Sequence, residues 1–210
     1  MSGGEVIRLV IMVCAAYLIG NINPAIIIGK LKGIDIRKEG SGNAGMTNSI
    51  RVMGLGAGIA VFVVDVLKAF IAVKIGFSFC GAAGAMAAFA GVVLGHCYPA
   101  VFGFKGGKGV AAAFGAALAL NWPSALAALL LAGVLFLITR RMSIASLAAA
   151  LSYPVLIWHF SREYFIFAIF AAVFLMFTHM ANIKRIAKGE EKPLTIGGDG
   201  KEEKEREQKK

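Results

Sequence analysis

The chain has 210 residues, 58% of them hydrophobic and 16% charged, with a mean hydropathy of +0.75 and a formal net charge of +10. Soluble domains run nearer ~45–50% apolar and ~25% charged, so the composition excludes an ordinary water-soluble domain and predicts an all-α integral membrane protein. Cys14, Cys80 and Cys97 form no CxxC pair, which predicts neither a disulfide framework nor a zinc site, and no metal or cofactor is expected.

Seven apolar segments follow one another at about 5–29, 52–73, 80–102, 109–121, 122–138, 144–160 and 163–179. They predict a bundle of about seven transmembrane helices in a single domain, residues 1–196, followed by a charged tail, 197–210, that is expected to be disordered. The first run continues past Gly20 to Ile28 without a small-residue cleavage site, and so reads as a retained span rather than a signal peptide. Asp65 and Lys68, three residues apart, are expected to pair near the outer end of the second span. The fourth and fifth segments are short for a hydrocarbon core of ~30 Å, and are expected to tilt or to lie beside protein. Asn121-Trp122-Pro123 marks the tight turn between them, since proline tolerates a first helical position and disfavours helix just before it. His159, in IWHFSREY, is expected in an aromatic belt at the outer interface.

Charge predicts the orientation. With the N-terminus outside and the C-terminus cytoplasmic, 18 of the 22 Lys and Arg face the cytoplasm, and only Arg8, Lys68, Lys74 and Arg162 do not. Three polar segments that look unlike ordinary loops, at 35–51, 95–109 and 179–194, then fall on one face.

In the first, EGSGNAGMTNSIR, the glycines at 40, 42 and 45 let backbone N–H groups converge on an anion, while Ser41, Asn43, Thr47 and Asn48 supply short donors. Thr47 or Asn48 is placed to cap the next span. The alternative is a flexible loop with a helix cap. In the second, GHCYPAVFGFKGGKGVA, no strand precedes the glycines and no Ser or Thr follows Lys108, so it is not a Walker A loop. Gly106, Gly107 and Gly109 nevertheless open the backbone ahead of a helix start, and Lys105 and Lys108 bring compact charges there. Lysines that only snorkel to headgroups are the alternative, one that leaves the glycines unexplained. In the third, HMANIKRIAKGEE, Lys184, Arg185 and Lys188 suit a helix C-terminus, whereas His179 and Asn182 share a helical face at the membrane boundary, where such groups usually face protein. A face with two glycine-rich cradles, two histidines (His96 and His179) and fixed cations points to an anionic, phosphate-bearing ligand.

These three stretches resemble the signature motifs of the bacterial acyl-phosphate-dependent glycerol-3-phosphate acyltransferases, the PlsY family, in order and spacing over nearly the whole chain. The patterns GSGNxGxTNxxR and GHxxPxxxxFKGGKGVA are met in full at 40–51 and 95–111. Ala112 stands where a threonine is usual, and Met180 where an arginine is usual; the GxE ending maps to Gly189 and Glu191. The resemblance implies transfer of a fatty acyl group from acyl phosphate to the 1-hydroxyl of glycerol 3-phosphate in the bacterial inner membrane, with the site facing the cytoplasm. It implies that Ser41, Asn43, Thr47 and Asn182 surround the acyl phosphate, and that Arg51, Lys108, His179 and Ser143 hold glycerol 3-phosphate. Glu191 joins the catalytic set, and Gly42, Gly45, His96, Lys105, Gly106, Gly107 and Arg185 join the substrate-binding set. Expected partners are the two small-molecule substrates and the bilayer, without nucleic acid. No Ser-His-Asp arrangement is evident, so direct attack is expected rather than an acyl-enzyme on Cys97 or Ser41. A small anion transporter is the reading from another class; one-sided placement of the polar segments and the absence of an inverted repeat speak against it.

Overall fold

The computed structural model describes residues 2–194, and all regular structure among them is helical. The charged tail at 197–210 and the domain boundary at 196 lie outside the described residues. Helix α1, Gly3–Gly20, starts in a capping box in which Ser2 and Glu5 exchange side-chain and backbone bonds. The chain then breaks at 21–23 and resumes as α2, Pro24–Leu31, capped by Asn23 Oδ1 on the Ile26 N–H at 3.1 Å. Helix α3, Met46–Met53, ends at Gly54 with φ 88°, after which α4 covers Leu55–Cys97.

Helix α4 is two arms. Cys80 and Gly81 depart from helical geometry, with Gly81 at φ 59°. Asp65 Oδ1 lies 3.1 Å from His96 Nδ1, although 31 residues of straight helix would separate them by ~46 Å. The chain therefore reverses at 80–81, and Gly76 and Gly84 meet backbone to backbone beside the turn, where a Cβ on either would strike the other's carbonyl. A short 3-10 turn, Ala100–Phe102, follows, then α5, Val110–Leu120, and α6, Trp122–Thr139. Asn121 makes the expected tight turn between these two, its Oδ1 accepting from the Ser124 N–H at 3.0 Å. Helices α7, Met142–Phe160, α8, Phe165–Thr178, and α9, Met180–Ala187, complete the bundle.

All seven apolar segments are thus helical, but their lengths differ. Four stretches are long and apolar enough to cross a membrane, Gly3–Leu31, Leu55–Phe102, Trp122–Thr139 and Met142–Phe160, and a fifth if Arg162–Thr178 and Met180–Ala187, bent by 66°, count as one. Leu55–Phe102 counts once although it doubles back, and α5 has only 11 residues. Where α5 packs on the first arm of α4, Gly115 lies against the Val66 backbone, with no space for a Cβ.

Asp65 and Lys68 pair at 2.7 Å, yet not at an end of the bundle. Both are buried beside His96, and Lys68 Nζ donates to the carbonyls of Gly20, at 3.2 Å, and Ile22. The break in α1 frees those carbonyls from helical partners, and in a dry interior something must satisfy them. This corrects the expected position of the pair: Asp65, Lys68 and His96 tie the α1 break to the base of the glycine-rich loop at 103–109.

Candidate active site

The three polar segments meet at one end of the bundle. Asn23 Nδ2 donates to the Ala44 carbonyl at 3.4 Å, Arg37 Nη1 to that of Phe102 at 3.0 Å, and Thr178 Oγ1 to that of Lys108 at 2.8 Å. They enclose the polar end of a cavity of about 2100 Å³.

Segment 36–45 is wrapped around one side chain. Asn48, 1% exposed, accepts from the Ser41 N–H at 2.8 Å and donates to the carbonyls of Ile36, at 3.1 Å, and Glu39, at 3.0 Å. Neither Thr47 nor Asn48 caps the following helix; α3 starts at Gly45 without a side-chain cap. Ser41, Asn43, Gly45, Thr47 and Arg51 line the cavity. Gly42 does not: it is exposed and its N–H bonds the Glu39 carbonyl at 2.9 Å.

The loop 103–109 departs from the expected phosphate cradle. The Gly106 and Gly107 N–H groups donate, both at 3.1 Å, to the carbonyls of Cys97 and His96, so neither is left for an anion. These glycines are needed for close packing instead: a Cβ on Gly107 would collide with His96 Nε2 and approach the Ala44 carbonyl to 2.8 Å. Lys105 is exposed and outside the cavity, whereas Lys108 lines it. Burial, reinforced by Arg185 and Arg51 against the opposing pull of Glu191, lowers the Lys108 ammonium to about 8. Cys97 is buried in the core and does not line the cavity, so it is a packing residue. His96 lines the cavity but is engaged by Asp65.

At 178–191 the chain bends, and His179 sits at the break rather than on one continuous helical face with Asn182. Its Nδ1 lies 2.8 Å from the Leu175 carbonyl, which assigns the proton to Nδ1 and leaves Nε2 an acceptor. Glu191 is the hub of the segment. Its carboxylate accepts from Ser143, from Asn182 Nδ2 at 2.8 Å and from Arg185 Nε at 2.7 Å, and Asn182 Nδ2 also reaches Ser143 Oγ at 2.7 Å. Burial opposes its ionisation, but these hydrogen bonds outweigh burial and hold the carboxyl below its usual range. Asn182 Oδ1 is buried without a partner.

From this polar end the cavity continues between helices as an apolar channel lined by Phe62, Phe89, Phe114, Phe136, Tyr153 and many alanines. Two residues not singled out as site residues in the sequence, Arg140 and Arg141, also build the site, together with Arg51. Arg141 Nε bonds the Glu191 carbonyl at 2.8 Å, the Arg140 carbonyl accepts from the Leu194 N–H at 2.7 Å, and Arg51 Nη2 lies 3.4 Å from the carbonyls of Lys192 and Pro193. Together they strap 190–194 across the polar mouth. No sequence signal marks Arg140 and Arg141, because they act through backbone carbonyls.

A family model described as glycerol-3-phosphate acyltransferase matches residues 10–189. The chain is 38% identical over 185 residues to a glycerol-3-phosphate acyltransferase of Alkaliphilus metalliredigens, covering 88% of this chain and 95% of that one. It is 42% identical over 183 residues to one of Thermoanaerobacter sp., covering 85% and 92%. The fold matches crystal structures of PlsY (YgiH), an integral membrane glycerol 3-phosphate acyltransferase, in its glycerol 3-phosphate form (TM-score 0.85, 36% identity, 91% of this chain and 96% of that one) and its lysophosphatidic acid form (TM-score 0.83, 36% identity, 90% and 96%). With the three motif segments converging on one cavity, the chain belongs to the glycerol-3-phosphate acyltransferase family, of PlsY type.

Proposed function

We propose that this protein transfers a fatty acyl group from acyl phosphate to the 1-hydroxyl of glycerol 3-phosphate, giving lysophosphatidic acid and inorganic phosphate. One observation carries the reading: a single cavity joins a cationic, hydrogen-bonding end to a long apolar channel, the shape needed by two phosphates and one acyl chain. An anion pathway would instead call for polar lining along its whole length.

Arg51 and Lys108, with His179 and Ser143, hold the phosphate and glycerol of the acceptor; Arg185 adds charge beyond them. Ser41 and Asn43 face the acyl phosphate from 36–45, and Thr47 from the start of α3. The first-turn N–H groups of α5, at Val110 and Ala111, have no intrahelical acceptor and lie at the cavity wall, which makes them the anion donors in place of Gly106 and Gly107. The 1-hydroxyl oxygen attacks the acyl carbonyl carbon, a tetrahedral oxyanion forms near these donors, and the bond from carbon to phosphate oxygen breaks. The proton passes to the departing phosphate or to His179 Nε2, which the Nδ1 bond to the Leu175 carbonyl leaves as an acceptor. Glu191 organises Ser143, Asn182 and Arg185 and takes no covalent part. The buried Asn182 Oδ1 is suited to accept from a substrate hydroxyl.

The same reading puts the N-terminus outside and the site at the cytoplasmic face of the plasma membrane, with the α4 hairpin contributing two of seven crossings. A single cysteine at Lys105, in a chain lacking the three natural ones, should resist an impermeant thiol reagent on intact cells, and one at Glu163 should react. The activity is tested by giving purified protein glycerol 3-phosphate with acyl phosphate, acyl-CoA or acyl carrier protein in parallel. Turnover with acyl phosphate alone is expected, and equal turnover with acyl-CoA overturns the choice of donor.

A further inference from the structure

Along α7 the residues that line the apolar channel run from Met142 to Tyr153, and none lies beyond Tyr153. From Ser143 at the polar end to Tyr153 the channel follows α7 for ten residues, about 15 Å at a rise of about 1.5 Å per residue. On α7 the lining along this course is small, at Ala145, Ser146, Ala149 and Ala150, while Ala113 and Ala117 line the channel from α5 and Phe62, Phe114 and Phe136 from α4, α5 and α6. On α7 itself the lining turns large at Tyr153. Tyr153, 8% exposed, and Phe89, 4% exposed, both line the cavity and both belong to the packed core.

These rings have little freedom to move. Phe89 packs edge-on against Phe167, with centroids 5.1 Å apart and planes at 84°. Tyr153 is packed with Ile157, Tyr164 and Ala168 in the same buried cluster. Its hydroxyl is buried with no hydrogen-bond partner, a cost that a leucine or phenylalanine there would not carry. The polar segments explain substrate phosphates, but nothing in the chemistry at the polar end calls for an aromatic wall so far away.

We propose that Tyr153, at the end of the α7 lining, is the floor of the acyl channel and sets the longest acyl chain that the enzyme uses efficiently. The inference rests on the proposed acyl-phosphate reading, because it makes the acyl chain the occupant of the channel. A chain too short leaves the alanine walls partly uncovered; a chain too long must fold back or displace a ring that the core holds. Each step in length then changes the reaction rate through apolar contact, a discrimination that runs at about tenfold or more per methylene at a closed wall.

The test measures kcat/KM for dodecanoyl, palmitoyl and eicosanoyl phosphate at saturating glycerol 3-phosphate, using the purified full chain. Tyr153→Ala should raise the palmitoyl-to-dodecanoyl ratio by at least about tenfold, while Tyr153→Phe, which keeps the ring, should leave it within about twofold of the parent. Ala150→Leu, which narrows the channel short of the floor, should shift preference towards dodecanoyl phosphate. A purely structural role for Tyr153 would lower all three rates together. Unchanged length profiles in Tyr153→Ala and Ala150→Leu overturn the floor while leaving the acyl-phosphate reading intact. If Tyr153→Ala does not fold, Ala150→Leu decides alone: an unchanged profile overturns the proposal. Absence of turnover by the parent enzyme with every acyl phosphate overturns the function itself, and the floor with it.

Discussion

Two loops flank the polar end of the cavity, and they are held in opposite ways. Loop 36–45 is organised by a side chain, Asn48, whose amide satisfies three backbone groups from within. Loop 103–109 is organised by backbone, its Gly106, Gly107 and Gly109 pressed on His96 and Cys97 so closely that no side chain fits. The first arrangement leaves the loop's own Ser41 and Asn43 side chains to line the cavity. The second uses up its N–H groups and presents one functional group, the Lys108 ammonium, from a rigid base. Glycine thus does different work in each: conformational freedom at Gly40, φ 58°, and sheer absence of volume at Gly107.

The two lysines of the second loop differ most in what their loss should cost. Lys108→Met should lower kcat/KM for glycerol 3-phosphate by at least about a hundredfold, roughly the ~3 kcal/mol of a lost charge-assisted contact. Lys105→Met, exposed and outside the cavity, should cost clearly less, although both variants lose one positive charge from the same loop. Next in size is the support of each loop. Asn48→Ala strands the carbonyls of Ile36 and Glu39 and the Ser41 N–H, and should destabilise the protein by about 2–3 kcal/mol, read as a fall in thermal midpoint. Gly107→Ala forces a Cβ onto His96 and should cost about 1–3 kcal/mol, more than Gly103→Ala, where φ is 68° but the space is open and about 1 kcal/mol of backbone strain is expected.

The smallest effect is a pH dependence. Lys108 in the folded protein loses its proton near 8, below the ordinary lysine value, so its positive charge is complete at lower pH and fades as pH rises through 8. KM for glycerol 3-phosphate should therefore climb above pH 8, by no more than about tenfold per pH unit, and Lys108→Met should flatten the climb.

Much of this was legible in the sequence. Apolar runs bounded by Asn, Gly and Pro marked the helices, because burial and capping are local signals: Asn121 before Pro123 turned as expected, and Arg51, Lys108, His179 and Asn182 converged from segments far apart in the chain. What was not legible depended on contacts across the fold. Gly106 and Gly107 carry no sign of whether their N–H groups face a ligand or the carbonyls of Cys97 and His96. Asp65 and Lys68 looked like a local i, i+3 pair, and only the reversal at Cys80 and Gly81 brings His96 to them. Tyr153 sat unremarked in an apolar run, its importance arising from the channel that ends on it.

The central claim is that segments separated by more than a hundred residues form one phosphate-binding end. It is tested most directly by ligand protection in a chain lacking the natural cysteines. Ser41→Cys and Glu190→Cys place a thiol on the cavity lining from the first and third segments, and Lys105→Cys places one outside it. Maleimide labelling of the first two should be slowed by glycerol 3-phosphate and that of the third should not change; shielding of only one lining position, or equal shielding of Lys105→Cys, would contradict the shared site.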